Sequence, residues 1–286
     1  MSVAEAIDRY LRSGDSDPMY SAWPGSLFER AKRADDALLG ALVAEVKRRA
    51  AGLDHPPVPN LDLRSWARRK LTPMVHGLFP QIEREAVLCT LEKSVVFLTH
   101  DSIEGVLLGQ SWLRPAWDLA NLFLGSMDAE LLGPKAPRIL GMSQETTCYV
   151  SAEYFSERGK MEDFVIHEAA HIFHNCKRRT VGLAETRTKE WLLHLEFMKR
   201  ETFAYACEAY GWIVEHASNR CERLAMAKDF AKHGCQVNDE TVDPEELADI
   251  LRESCAARNG WKVILARCSP EKRSRTQQGA MASITE

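Results

Sequence analysis

The segment His167-Glu168-Ala169-Ala170-His171 sets two imidazoles four residues apart. On a helix, positions so spaced lie on one face, one turn apart, so both rings can offer a nitrogen to a single ion. Glu168 stands beside the first histidine. It can reach a water held by that ion without binding the ion itself, and take its proton as the water attacks a carbonyl. Zinc suits this role because it lowers the pKa of a bound water toward about 7 and polarises the carbonyl under attack. The flanks are apolar, with Val165 and Ile166 before the segment and Ile172 and Phe173 after it. Such a helix is expected to be buried on more than one side, its small alanines allowing close packing opposite the ligands.

Catalytic zinc takes three protein ligands and keeps one position open. His174 follows three residues after His171, nearly on the ligand face. Three ligands from one straight helix would crowd one side of the ion, so His174 is read as backing a ligand, facing substrate, or lying on the surface at the helix end. The third ligand must come from elsewhere in the chain.

Residues 167–171 and their apolar flanks resemble the HExxH zinc metallopeptidases. The glycine and third histidine of the metzincin extension are missing, since the chain continues Ile172-Phe173-His174-Asn175-Cys176. The closer resemblance is to the gluzincin group, in which a second helix supplies a glutamate. It implies a zincin-like core, zinc as cofactor and hydrolysis of peptide bonds. It also directs attention to residues 200–210, where Glu201 is followed by small and aromatic residues suited to packing on the motif helix. Glu201 is the chosen third ligand, with Glu208 its rival on nearly the same face and Glu185 and His194 behind them. The Glu201, Phe203, Ala204 pattern is also similar to the corresponding helix of the ImmA/IrrE-like peptidases, a cytoplasmic group. Tyr205 and Tyr210 follow on the same helix, either as donors to a tetrahedral oxyanion or, the preferred reading, as core packing. Metallopeptidases of this kind often bind the substrate backbone along an edge strand before the motif helix. Residues 148–155 stand where that strand would be.

These groups need elements to hold them. Helical spacing covers residues 3–12 and 26–51, and a proline-rich run, His55-Pro56-Pro57-Val58-Pro59-Asn60, then forbids helix. A further helix is expected after Leu61, a buried strand at 95–99, and helix from 102 to 132 interrupted at Pro115. Residues 146–155 favour strand, and Lys177 to Gly182 carry the positive charge and glycine of a helix end. Residues 193–197 alternate like a strand, 200–233 read as helix, and Asp243-Pro244 starts one more. The expected architecture is α+β and mainly α. It comprises a helical N-terminal region (1–85), a zincin-like metallopeptidase domain with a small sheet against the motif helix (86–268), and a disordered tail (269–286).

Composition narrows the partners. A hydrophobic fraction of 45%, a charged fraction of 27% and a net charge of −4 describe an ordinary globular chain without the basic footprint of a nucleic-acid binder. No stretch has the roughly 20 apolar residues of a membrane span, and the start lacks a basic, then apolar, leader. The eight cysteines are scattered, as expected of reduced thiols. The expectation is a cytoplasmic zinc metallopeptidase acting on a protein or peptide substrate, without nucleic acid or membrane as partner. A metal-bound water activated by Glu168 attacks, and His167, His171 and Glu201 hold the ion. The alternatives are a non-catalytic helical binding or regulatory protein with a structural or degenerate metal site, and a zinc hydrolase acting on a non-peptide bond.

Overall fold

Two capping boxes open the chain. Ser2 with Glu5 caps α1 (Val3–Ser13), and Ser26 with Glu29 caps α2 (Leu27–Ala50). Each serine oxygen accepts a first-turn N–H that has no partner within the helix. The computed structural model describes residues 1–156, 162–187, 189–233, 237 and 239–270. The proline run at 55–60 carries neither helix nor strand. Asp62 then caps α3 (Leu63–Leu78), and α4 (Gln81–Leu91) follows. After β1 (Val95–Leu98) come α5 (Ile103–Leu108) and α6 (Leu113–Gly125). Pro115 does not interrupt this region: it sits in the first turn of α6, where a missing N–H costs nothing, and the break falls at 109–112.

β2 (Gly141–Gln144) and β3 (Thr147–Ser151) complete a three-stranded sheet of order β1-β3-β2. β1 runs parallel to β3, with Val95 opposite Cys148 and Phe97 opposite Val150. β2 runs antiparallel, with Gly141 opposite Val150 and Met142 opposite Tyr149. This corrects the expectation that 148–155 offers a free edge. β3 is the central strand, paired on both sides, and residues 152–155 turn into a 3-10 helix (Ala152–Phe155). The edges belong to β1 and β2.

The motif helix is α7 (Phe164–Asn175), capped by Asp163, whose carboxylate accepts the Ile166 N–H. It ends sooner than its basic C-terminal sequence suggests. Leu193 N–H donates to the Phe173 carbonyl at 2.7 Å and Leu192 N–H to that of Cys176 at 3.0 Å. The returning chain thereby takes carbonyls that a longer helix would have used. Residues 177–182 instead hold a separate 3-10 turn (Arg178–Val181) closed by Gly182 at φ 76°, and 193–197 is this strap, not a strand. The remaining helices are α8 (Arg200–His216), α9 (Arg220–His233), α10 (Pro244–Ala256) and α11 (Gly260–Cys268). The expected helix over 200–233 is thus two helices. Of the expected tail, 271–286 lie outside the described residues.

The architecture is mainly helical with a small mixed sheet. Two apolar cores flank that sheet. Val95, Phe97, Cys148 and Val150 join a cluster with α3, α7, α8 and α10. On the other face Leu98 joins a cluster from α1, α2, α5 and α6, against which Tyr149 and Met142 pack. Among the described residues no helix is long and apolar enough to cross a membrane.

Candidate metal centre

α7 and α8 pack antiparallel, as their contacts show: Glu201 near the start of α8 approaches His171 and His167, while Glu208, two turns on, reaches His167 and Asp163 at the start of α7. The close approach depends on small residues. Ala169 and Ala170 are fully buried, and a Cβ on Gly211 of α8 would fall 2.4 Å from Ile166 Cδ1.

His167 Nε2 and His171 Nε2 stand 3.1 Å apart, and Glu201 Oε2 lies 3.5 Å from the second and 3.8 Å from the first. A tetrahedral zinc with nitrogen and oxygen ligands at 2.0–2.2 Å separates its ligand atoms by about 3.3 Å. The three atoms already stand near that spacing, and this group could hold a metal ion. The ligand chemistry, two imidazoles and a carboxylate, suits zinc.

Each histidine is held from behind. His167 Nδ1 lies 2.9 Å from Glu208 Oε2, and the other Glu208 oxygen accepts the Asp163 N–H at 2.7 Å. Asp163 is in turn bound by the Tyr154 hydroxyl and by Lys70 Nζ at 2.5 Å. His171 Nδ1 lies 2.9 Å from His174 Nε2, whose own Nδ1 meets Asn175 Oδ1 at 3.0 Å. With these partners, a bound ion would find each histidine with its proton on Nδ1 and the Nε2 lone pair turned inward.

The electrostatics follow from burial and neighbours. Burial pushes the Glu168 carboxyl above the usual carboxylate range, against the opposing pull of His167 and His171. Burial alone would lower His167, but the hydrogen bond and charge of Glu208, with Glu168 and Glu201, lift it to about 9. Burial raises Glu201, yet the hydrogen bond and charge of His171 bring it below its ordinary value. Burial, then the charges of His171 and Arg200, hold His174 down to about 3.

The donors line a cavity of about 1010 Å³ whose walls include β2, Phe197, Met198, Arg200 and Tyr205. Glu168 lies against β2: a Cβ at Gly141 would sit 2.7 Å from its Cγ and Oε1. The Tyr205 ring stands edge-on to His167 at 4.7 Å. Tyr210 is instead packed on Trp261 at 4.9 Å in the core. His174 is buried behind His171, so it is not a surface residue. Glu185 pairs with Arg179 at 3.7 Å and exposed His194 lies off the cavity. Sequence reasoning missed Asp163, although a carboxylate just before an apolar helix is a readable cap signal. It also missed Gly141, which has no such signal.

No protein-family model matches the chain, and no curated protein or solved structure matches it either.

Proposed function

We propose that this protein is a zinc-dependent peptidase with a zincin-like core, in which His167, His171 and Glu201 hold the ion and Glu168 moves the proton. The observation that carries this reading is the convergence of three ligand atoms at 3.1–3.8 Å on the floor of an open cavity, with a buried carboxylate beside them. A purely structural zinc site would be closed by a fourth side chain. Among the described residues only these three group closely enough.

When bound, zinc supplies Lewis acidity that makes water a nucleophile near neutral pH. Glu168 accepts the proton of the attacking water and passes it to the departing amine. Its raised pKa suits both halves of that transfer. Glu208 and His174 fix the tautomers and ring planes of His167 and His171. Tyr205 lines the same cavity and can donate its phenol hydrogen to the oxyanion of the tetrahedral intermediate. The free edge of β2, along the cavity wall, can pair with an extended peptide, which favours a polypeptide substrate over other amides. Under this reading the substrate is a cytoplasmic protein, in keeping with the scattered cysteines.

The test is metal content together with hydrolysis of an unfolded protein. Wild type should retain one equivalent of zinc and cleave. The His167→Ala, His171→Ala double variant should lose both. Glu168→Gln should keep zinc while its rate falls by about 10²–10⁴. Absence of zinc from wild type even after it is offered would replace this reading with that of a helical binding protein.

A further inference from the structure

Five carboxylates line the cavity: Glu162, Glu168, Glu201, Glu208 and Asp239. Two guanidinium groups accompany them, from Arg138 and Arg200. Arg138 is engaged, donating to Asp128 Oδ1 at 2.8 Å. Arg200 differs. Among the described residues it makes no ion pair, its Nε is buried without a hydrogen-bond partner, and its guanidinium lies over the Phe197 ring at 5.0 Å. Buried donors are almost always paired, so an arginine at a cavity wall with an unmet donor and no ion pair calls for an acceptor from outside. Its neighbour in sequence is the proposed ligand Glu201, so the guanidinium is tied to the metal centre by one peptide unit.

We propose that Arg200 binds a carboxylate of the substrate, specifically the free C-terminus of a chain ending in an apolar residue. This inference rests on the peptidase reading above. A guanidinium stacked on an aromatic face is oriented before the ligand arrives, and its fork matches a carboxylate with two parallel hydrogen bonds. The rest of the lining selects among anions. Glu162 and Asp239, which the proposed centre does not use, disfavour a multiply charged group such as a phosphate, whereas a single negative charge can settle on the one unpaired cation of the lining. Phe197 and Met198, 73% and 59% exposed, stand at the same wall and give an apolar side chain its contact. A terminal residue presents both features together, and its carboxylate lies at a fixed distance from the last peptide bond.

The experiment uses the zinc-loaded Glu168→Gln protein, in which turnover is suppressed, and measures binding by calorimetry. The probes are N-benzoyl-Gly-Phe as the free acid, the same peptide as its C-terminal amide, and N-benzoyl-Gly-Asp amide, which carries only a side-chain carboxylate. The acid should bind at least thirtyfold more tightly than either amide. Adding Arg200→Gln should reduce the difference below threefold with zinc content unchanged. Arg200→Lys, which keeps the charge without the fork, should fall between. Equal binding of acid and amide would overturn the inference, as would a preference that survives Arg200→Gln, since the ion alone would then be reading the anion. Tight binding of the Asp amide would overturn the terminal assignment in favour of an acidic side chain. Cleavage of an unfolded protein by wild type would persist in all three of these failures, whereas failure of the peptidase reading would abolish it.

Discussion

Glu208 Oε2 lies 2.9 Å from Nδ1 of His167, on the side of the ring away from His171. In the proposed site Glu208 therefore orients a ligand, while Glu201 faces the ion. Loss of an orienting partner commonly costs 10–100-fold in metal affinity. Glu208→Gln should fall in that range and Glu201→Ala beyond it, as read by competition with a chromophoric chelator. The reverse order would move the third ligand to Glu208.

Gly141→Ala is expected to damage turnover through Glu168. The added methyl would meet Glu168 Cγ and Oε1 at 2.7 Å, so the base must shift. The peptidase rate should drop at least tenfold while zinc is retained. Gly40→Ala, with nothing within 4 Å of the added atom and a mid-helix position, is the control and should be neutral or stabilising. Equal rates in the two variants would count against contact control of the base.

His174 gives stability a pH dependence of definite sign. Burial first, then the charges of His171 and Arg200, hold its folded pKa at about 3, against about 6.5 in an unfolded chain. A depressed pKa contributes stability that is complete above the unfolded value and lost as pH falls toward the folded one, because the unfolded chain takes up the proton. The urea midpoint should therefore drop more for wild type than for His174→Gln between about pH 7.5 and about pH 5.5. Parallel drops would show that His174 is not the group responsible.

Chelation should destabilise the fold as well as silence it. Free zinc at a thousandfold excess over its Kd adds about 4 kcal/mol to the folded state, on the order of 10 °C in a chain of this size. Scanning calorimetry with and without a chelator would read the shift. An unchanged melting temperature would mean that zinc does not bind the folded protein.

The grouping of the two histidines with Glu168, and the helix that carries them, were legible because their information is local. A 3.6-residue period places His167 and His171 together before any tertiary contact is known. The distinct positions of Glu201 and Glu208 were not legible. Seven residues are almost two turns, so both carboxylates share a face of α8. Only the antiparallel crossing decides that Glu201 opens on the cavity while Glu208 sits behind His167. β2 was invisible for another reason: Gly-Met-Ser-Gln has little intrinsic strand preference and exists as a strand because β3 pairs with it. The early end of α7 likewise came from distant residues, Leu192 and Leu193, which take its last carbonyls.

The two faces of the sheet feed two different cores. Phe97 and Val150 belong to one core, Leu98 to the other, with Tyr149 and Met142 packed against that second core. Because side chains alternate along a strand, a slip of one residue would send each set into the wrong compartment. The three strands thus act as a party wall, whose correct registration is checked twice, by helices that share no chemistry. An insertion of one residue in β3 should be lethal to folding even though it lies outside α7 and α8, which carry the candidate ligands. This would make the wall, rather than the metal centre, the part of the molecule least able to drift.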